Sequence, residues 1–244
     1  VIEGSPSLAL ICKFGVGVDN IDLAAAAERG VLVTNAPGCN AISVAEMTIG
    51  LIIALWRRLK ETERSLRDGQ WRAIPGEELY GRVLGIVGLG NIGKEVARRA
   101  RAFGMRVLSH DIVDYADFCR QFEVEATSLE AVLSQSDVLS LHVPLTPLTR
   151  HMIGEAQLRR MKRGAILIHT ARGGVADEAA LCRALAGQHL AGAALDVFET
   201  EPLGPSRLRS LDNVILTPHV AGITYQAADR IGERTVANVL AYLA

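Results

Sequence analysis

The side chains best suited to chemistry stand late in the chain, each just after an apolar run. Arg172 lies in the turn Thr170–Gly174, Asp196 and Glu201 flank the end of the next apolar run, and His219 follows the last one. A guanidinium can hold a carboxylate through two parallel hydrogen bonds, and an imidazole oriented by a carboxylate can exchange a proton near neutral pH. Although a single histidine or arginine in a loop is often structural, together these residues predict a site where a proton moves on a small acid.

A glycine turn precedes these residues in the chain. Gly88–Gly93 reads G-x-G-x-x-G and stands between a strand-like run and a helical pattern, which is the context of a dinucleotide site. Gly88 permits the tight turn, Gly90 lets a pyrophosphate approach the backbone, and Gly93 lets the helix pack on the strand. The alternative is an ordinary glycine turn without a ligand.

Asp111 indicates which dinucleotide would bind. It lies 18 residues after Gly93, where a carboxylate accepts the ribose hydroxyls and repels a 2'-phosphate. The following Ile112 and Val113 offer no cation for such a phosphate. The predicted cofactor is therefore NAD rather than NADP, the alternative being a solvated aspartate without a ligand.

Strand-like runs alternate with helical patterns from Gly81 onward, which predicts an α/β fold with a doubly wound parallel sheet of the Rossmann type. Six strands are expected, in the following places: 82–87, 105–109, 138–142, 165–169, 191–197 and 214–216. Because the carboxyl ends of parallel strands meet at one edge of the sheet, Arg172 and His219 are expected at the same edge.

The first 40 residues also alternate strand-like runs with a helical pattern, over a shorter stretch. We therefore predict two domains: 1–39 with 223–244 as an incomplete, discontinuous substrate domain, and 40–222 as the NAD-binding domain. At the start of the second domain, the pattern of residues 43–60 predicts one long helix that begins with a capping box formed by Ser43 and Glu46. Its apolar stripe suits a connection between domains or a dimer interface.

Composition excludes several classes of protein. The 244 residues contain 26 Lys and Arg against 27 Asp and Glu, a balance that disfavours nucleic acid as a partner. The longest strongly apolar run, Met47–Trp56, is well short of the about 20 residues that span a bilayer. The four cysteines have neither C-x-x-C pairs nor histidines at ligand spacing, so we expect a cytoplasmic protein without a structural metal.

Motifs along nearly the whole chain resemble those of the D-isomer-specific 2-hydroxyacid dehydrogenases. They are, in chain order, 15–22 (GVGVDNID), 43–46 (SVAE), the glycine turn 88–93, 142–146 (HVPLT), 170–173 (TARG), 194–199 (ALDVFE) and 218–219 (PH). Their order and spacing agree with the family. The one local departure is His169, where the family usually has Asn.

The resemblance implies a role for each matching position. Arg172 corresponds to the arginine that binds the substrate carboxylate, Glu201 to the catalytic carboxylate and His219 to the acid/base. The backbone of Val16, Gly17 and Val18 would also meet the substrate. The implied cofactor contacts are Gly88, Gly90, Asn91, Ile92, Gly93, Asp111, His142, Val143, Pro144, Thr170, Ala171, Arg172, Asp196 and His219.

The implied activity is NAD-dependent interconversion of a D-2-hydroxy acid and a 2-oxo acid by hydride transfer, in a homodimer, without nucleic acid or membrane as partner. Two other interpretations remain open at this stage. One is a non-catalytic NAD-binding protein of the corepressor type that shares the fold. The other is an inactive fragment, because family members have further residues before the equivalent of Val1.

Overall fold

The structure is a computed structural model that describes residues 1–244, and it contains two compact units. The smaller is formed by Val1–Ser43 with Gly222–Ala244, and the larger by Val44–Ala221. These boundaries differ from the predicted 39/40 and 222/223. Near these boundaries the hydroxyls of Ser43 and Thr224, both in the smaller unit, lie 2.8 Å apart.

Nine strands and nine α-helices follow one another along the chain. In order they are β1 (Leu10–Cys12), α1 (Leu23–Glu28), β2 (Leu32–Thr34), α2 (Ala41–Trp56), α3 (Leu59–Arg67), β3 (Val83–Val87), α4 (Asn91–Ala102), β4 (Arg106–His110), α5 (Ala116–Phe122), β5 (Val124–Ala126), α6 (Leu129–Gln135), β6 (Val138–Leu141), α7 (Glu155–Arg160), β7 (Ile166–His169), α8 (Glu178–Ala186), β8 (Gly192–Leu195), β9 (Val214–Leu216) and α9 (Tyr225–Leu243). A short 3-10 helix, Arg207–Ser210, precedes β9.

The larger unit contains a seven-stranded sheet in the order β5-β4-β3-β6-β7-β8-β9, and every pair in it is parallel. This confirms the predicted doubly wound α/β fold. The order reverses between β3 and β6, which is the point at which such sheets bind ligands beyond the carboxyl ends of their strands. The smaller unit has a parallel pair, β1 and β2.

The prediction of six strands was wrong by one, because β5 was not foreseen. Of its three residues only Val124 is buried, whereas Glu125 and Ala126 are exposed. Such a strand at the sheet edge has no apolar run that a sequence pattern could detect. Its backbone is nevertheless paired with β4 through three residues.

The long helix predicted over 43–60 is two helices. α2 ends at Trp56 and α3 begins at Leu59, with Arg58 between them in the left-handed region at φ 51°. Ser43 lies inside α2 and does not cap it. The predicted apolar stripe does pack into the core, where Ala45, Ile52 and Trp56 are buried.

The central strands β6, β7 and β8 are buried along their whole length. Their apolar side chains contribute to two core clusters, one of which includes α8 and the other α2 and α4. This packing makes the sheet a rigid base for the loops at its carboxyl edge. No helix has the length and apolar character that crossing a bilayer requires.

Candidate active site

The glycine turn joins β3 to α4 under tight steric limits. Gly88 has φ 96°, and a Cβ there would lie 2.8 Å from the carbonyl oxygen of His142. A Cβ on Gly93 would overlap the carbonyl of Gly88. By contrast, a Cβ on Gly90 would meet nothing within 4 Å, so the backbone there is open to an approaching group.

The N-terminus of α4 faces this open backbone. Gly90 is the N-cap residue and has no side chain to cap the helix, so the first-turn N–H groups of Asn91 and Ile92 are available to an anion. A pyrophosphate fits such a cradle in charge and in space. The residues present therefore fit a dinucleotide.

Asp111 braces the glycine turn from the neighbouring strand. One carboxylate oxygen accepts the N–H of Leu89 at 2.6 Å, and the other accepts the N–H of Val113 at 2.9 Å. Asp111 also lines a cavity of about 260 Å³ with Tyr115, Cys119 and other residues. The cavity lies where the sequence predicts the adenosine half of the cofactor, and the brace itself was not foreseen.

A cation stands near this cavity. The Nζ atom of Lys94 lies 3.6 Å from the ring centroid of Tyr115, a cation–π contact. Lys94 lies on α4, distant in the chain from Asp111, and the residues next to Asp111, Ile112 and Val113, do not indicate it. A positive charge near this cavity favours the 2'-phosphate of NADP, so it opposes the preference for NAD that Asp111 gives.

The loop after β6 begins with His142, Val143 and Pro144, all predicted as cofactor contacts. Val143 Cγ1 would be 2.9 Å from a Cβ on Gly88, so this loop adjoins the glycine turn. The Pro144 carbonyl accepts the hydroxyl of Thr149 at 2.6 Å. The structure thus places His142 and Val143 beside the expected pyrophosphate cradle.

Two buried histidines stand at the ends of β6 and β7. Burial, and to a lesser extent the charge of His169, lowers the pKa of His142 to about 3. Burial lowers the pKa of His169 to about 4, against a smaller opposite effect of the Arg172 backbone. Both imidazoles are therefore neutral at physiological pH.

Arg172 follows directly after β7. Thr170, at the start of this turn, is buried, and its hydroxyl oxygen lies 3.2 Å from that of Thr48 on α2. Ala171 is buried as well, and its carbonyl accepts a hydrogen bond from the Arg172 guanidinium at 2.7 Å. The turn is thus held from β7 and α2 while Arg172 itself is only half-buried.

Glu201 and His219 form a direct pair. His219 Nδ1 lies 2.7 Å from Glu201 Oε2, and the other carboxylate oxygen accepts the N–H of Phe198 at 3.0 Å. The side chains keep 44% and 36% of their surface exposed, so a small molecule can reach them. His219 has φ 55°, a left-handed backbone conformation that is uncommon for residues other than glycine.

Asp196 is 1% exposed and makes three hydrogen bonds to the loop that carries His219. Its carboxylate accepts the hydroxyl of Thr217 at 2.6 Å and the N–H groups of Val220 and Ala221 at 2.9 and 2.8 Å. This network was not foreseen, although a buried carboxylate needs such donors. The predicted contact of Asp196 with the nicotinamide stays a prediction.

The turn of Arg172 and the loop of Glu201 are in direct contact through Gly173. A Cβ on Gly173 would overlap the carbonyl of Phe198, so the two backbones touch. Two of the three predicted catalytic residues thus lie on backbone segments that pack against each other. The Glu201–His219 contact links the third to them.

Val16, Gly17 and Val18 belong to the smaller unit. There the carbonyl of Val16 accepts the Asn35 side-chain amide at 2.6 Å, and Asn35 is tied in turn to Asn238 of α9. This loop is therefore anchored within its own unit. The predicted role of its backbone in substrate binding stays a prediction.

Comparison with known proteins gives a consistent result. Residues 49–221 match the family described as D-isomer specific 2-hydroxyacid dehydrogenase, NAD binding domain. A glyoxylate reductase of Korarchaeum cryptofilum is 46% identical over 249 residues, covering 99% of this chain and 75% of that protein. A D-3-phosphoglycerate dehydrogenase of Methanocaldococcus jannaschii is 45% identical, covering 95% of this chain and 45% of that protein.

Among solved structures, a D-lactate dehydrogenase from Aquifex aeolicus complexed with NAD and lactic acid is similar with a TM-score of 0.92. It is 39% identical, and the match covers 99% of this chain and 78% of that one. The family match, these relatives and the dinucleotide cradle lead to one conclusion. This chain belongs to the D-isomer-specific 2-hydroxyacid dehydrogenases, enzymes that use NAD.

Proposed function

We propose that the protein reduces a small 2-oxo acid to the D-2-hydroxy acid, and catalyses the reverse oxidation, with Arg172, Glu201 and His219 as its catalytic residues. The observation that carries this proposal is the 2.7 Å contact between His219 and Glu201 at the carboxyl edge of the sheet. An exposed imidazole held by a carboxylate is an acid/base group that a substrate can reach.

The position of Glu201 selects the nitrogen of His219 that reacts. Nδ1 faces Glu201, so Nε2 is the nitrogen directed to the substrate oxygen. In the reductive direction Nε2–H donates its proton to the oxygen of the former carbonyl, and in the oxidative direction neutral Nε2 takes that proton back. The carboxylate of Glu201 stabilises the imidazolium and keeps its ring oriented.

Arg172 would fix the substrate carboxylate, with the backbone of Val16–Val18 as a further candidate contact. Fixing one end of the oxo acid limits the orientations of its carbonyl, and positioning of this kind supplies a large part of enzymatic rate. The anchored turn from Thr170 to Gly173 is suited to such a task because its backbone is held on two sides.

For the cofactor we assign the pyrophosphate to the backbone of Gly90, Asn91 and Ile92 and the adenosine ribose to Asp111. The nicotinamide half would lie toward Val143 and Thr170. The bound cofactor supplies or accepts the hydride. A homodimer and a cytoplasmic location are also part of the proposal, the second in keeping with four free cysteines.

Glyoxylate and hydroxypyruvate are the first substrates to test. Relatives named glyoxylate reductase and hydroxypyruvate reductase are 46% and 42% identical to this chain. Steady loss of NADH absorbance with either acid is expected. Tight NADH binding without turnover of any oxo acid would instead support a non-catalytic binding protein.

The acid/base assignment is tested by substitution. We expect His219→Ala to lower turnover by about 10²–10⁴-fold, the usual contribution of general acid–base catalysis, while NADH affinity measured by fluorescence stays unchanged. Glu201→Gln keeps a hydrogen-bond partner for His219 but removes the negative charge. It should therefore lower turnover less than His219→Ala does. Glu130→Gln, an exposed carboxylate on α6, is the control. Full turnover in His219→Ala would refute the assignment.

A further inference from the structure

A second histidine–carboxylate contact lies beside the first and has no part in the function described so far. His151 Nε2 lies 3.2 Å from Glu199 Oε1, and Glu199 is two positions before Glu201 on the same loop. His151 lies between β6 and α7, far from this loop in the chain. The contact therefore joins two separate segments at the edge of the site.

Glu199 is also bound to the N-terminus of α8 in a reciprocal manner. The N–H of Glu178 donates to Glu199 Oε1 at 3.0 Å, and the N–H of Glu199 donates to Glu178 Oε1 at 2.5 Å. Each glutamate thus holds the backbone of the other. The loop that carries Glu201 is fixed to α8 by two hydrogen bonds made within this pair.

The backbone of His151 contacts the turn that carries Arg172. Its N–H donates to the carbonyl of Gly174 at 2.7 Å, in the turn that carries Arg172. His151 has φ 51°, and a non-glycine residue keeps such a conformation only where its surroundings hold it. One residue therefore contacts the turn of Arg172 through its backbone and the loop of Glu201 through its ring.

The carboxyl groups of Glu178, Glu199 and Glu201 also interact electrostatically. Burial raises the pKa of the Glu178 carboxyl, and the negative charges of Glu199 and Glu201 raise it further, while the Glu199 N–H opposes the shift. Three carboxylates thus lie within electrostatic reach of one another. The ring of His151 is the polar group that lies against Glu199 from the segment between β6 and α7, with 3.2 Å between Nε2 and Oε1.

We propose that His151, Glu199 and Glu178 form a positioning clasp, which holds the loop of Glu201 at the distance from the Arg172 turn that catalysis requires. The clasp touches no reacting atom. It acts through Glu201, whose side-chain carboxylate accepts the backbone N–H of Phe198, the residue before Glu199. The inference rests on the proposed roles of Glu201 and His219.

The test is a double-mutant cycle on kcat with His151→Ala, Glu199→Ala and the two combined. We expect each single variant to lower kcat about tenfold, less than the about 100-fold that a misplacement of about 1 Å can cost, because the contact is partly exposed. The double variant should be no worse than Glu199→Ala alone, since that variant already removes the contact that His151→Ala removes. NADH affinity should not change, because the dinucleotide cradle lies elsewhere.

A conservative variant separates positioning from general damage to the fold. His151→Gln supplies an amide that can contact the Glu199 carboxylate in place of the ring, and it should recover most of kcat. The matched control is Glu130→Ala, which removes an exposed carboxylate that pairs with Arg160 and should leave kcat unchanged. Thermal unfolding of every variant shows that the compared proteins are folded.

The outcomes separate this inference from the proposed function. If His219→Ala inactivates the enzyme while the His151 and Glu199 variants keep full kcat, the clasp is refuted and the acid/base pair stands. Additive losses in the double variant, or an equal loss of NADH affinity, would also overturn the clasp. Full activity of His219→Ala would refute the proposed function, whatever the clasp variants do.

Discussion

The carboxylate of Asp196 accepts the backbone N–H of Ala221 at 2.8 Å, although the two residues are 25 positions apart in the chain. Its other oxygen holds Thr217 and Val220. His219 lies in the middle of the segment so held. The buried carboxylate of Asp196, directly after β8, thus fixes the position of the exposed imidazole. Its hydrogen bonds to the residues on both sides of His219 also stabilise the left-handed backbone of that residue.

Asp196→Asn should damage both stability and turnover. An amide has one acceptor oxygen, so at least one of the three donors loses its partner inside the protein, at a cost of about 1–3 kcal/mol. We expect the unfolding free energy from urea titration to fall by that amount and kcat to fall with it. Asp212→Asn is the control, since its side chain is 92% exposed. A fully stable and active Asp196→Asn would contradict the role given to this network.

Asp111 should decide between the two dinucleotides. In the unmodified protein we expect NADH to bind more tightly than NADPH, because the carboxylate repels a 2'-phosphate. Asp111→Ala should narrow this gap, and Lys94 nearby favours a phosphate once the carboxylate is gone. Binding of both cofactors is followed by fluorescence titration. Equal affinities in the unmodified protein would refute the assignment.

Acid should destabilise the protein through His142 and His169. Their folded pKa values, about 3 and about 4, lie below the value of about 6.5 for a histidine in an unfolded chain. Between these limits the unfolded state binds more protons, so stability is full above pH 6.5 and falls as the pH drops, by up to about 1.4 kcal/mol per pH unit for each histidine.

Replacement of His169 tests that explanation. We expect the unfolding free energy of His169→Asn, measured in urea between about pH 7 and pH 5, to fall less steeply than that of the unmodified protein. The variant removes one of the two groups and retains a polar side chain of smaller size. An unchanged slope would show that His169 does not contribute to the acid sensitivity.

The surface around α3 should carry a dimer contact. Trp71 and Tyr80 are 91% and 78% exposed, and Leu59 and Leu66 on α3 are exposed as well. Leu79, next to Tyr80 in the chain, is buried. Light scattering at micromolar concentration is expected to show a dimer, and Trp71→Ser should shift it toward monomer. A protein that is monomeric without the substitution would contradict the prediction.

The sequence by itself determined the fold class and the type of each candidate catalytic residue. Glycines at this spacing between a strand and a helix indicate a dinucleotide site, and the buried strands stand out as nearly continuous apolar runs because both faces of a parallel sheet are covered. Parallel strands end at one edge, so the position of Arg172 and His219 after their strands already implied a common site.

Only the tertiary structure decided the contacts between segments distant in the chain. No pattern indicates that Asp196 holds the loop of His219, that His151 reaches Glu199, or that β5 pairs with β4. Local patterns report which face of an element is buried. A hydrogen bond between loops depends instead on how the sheet brings their backbones together, and that arrangement is a property of the whole packed unit.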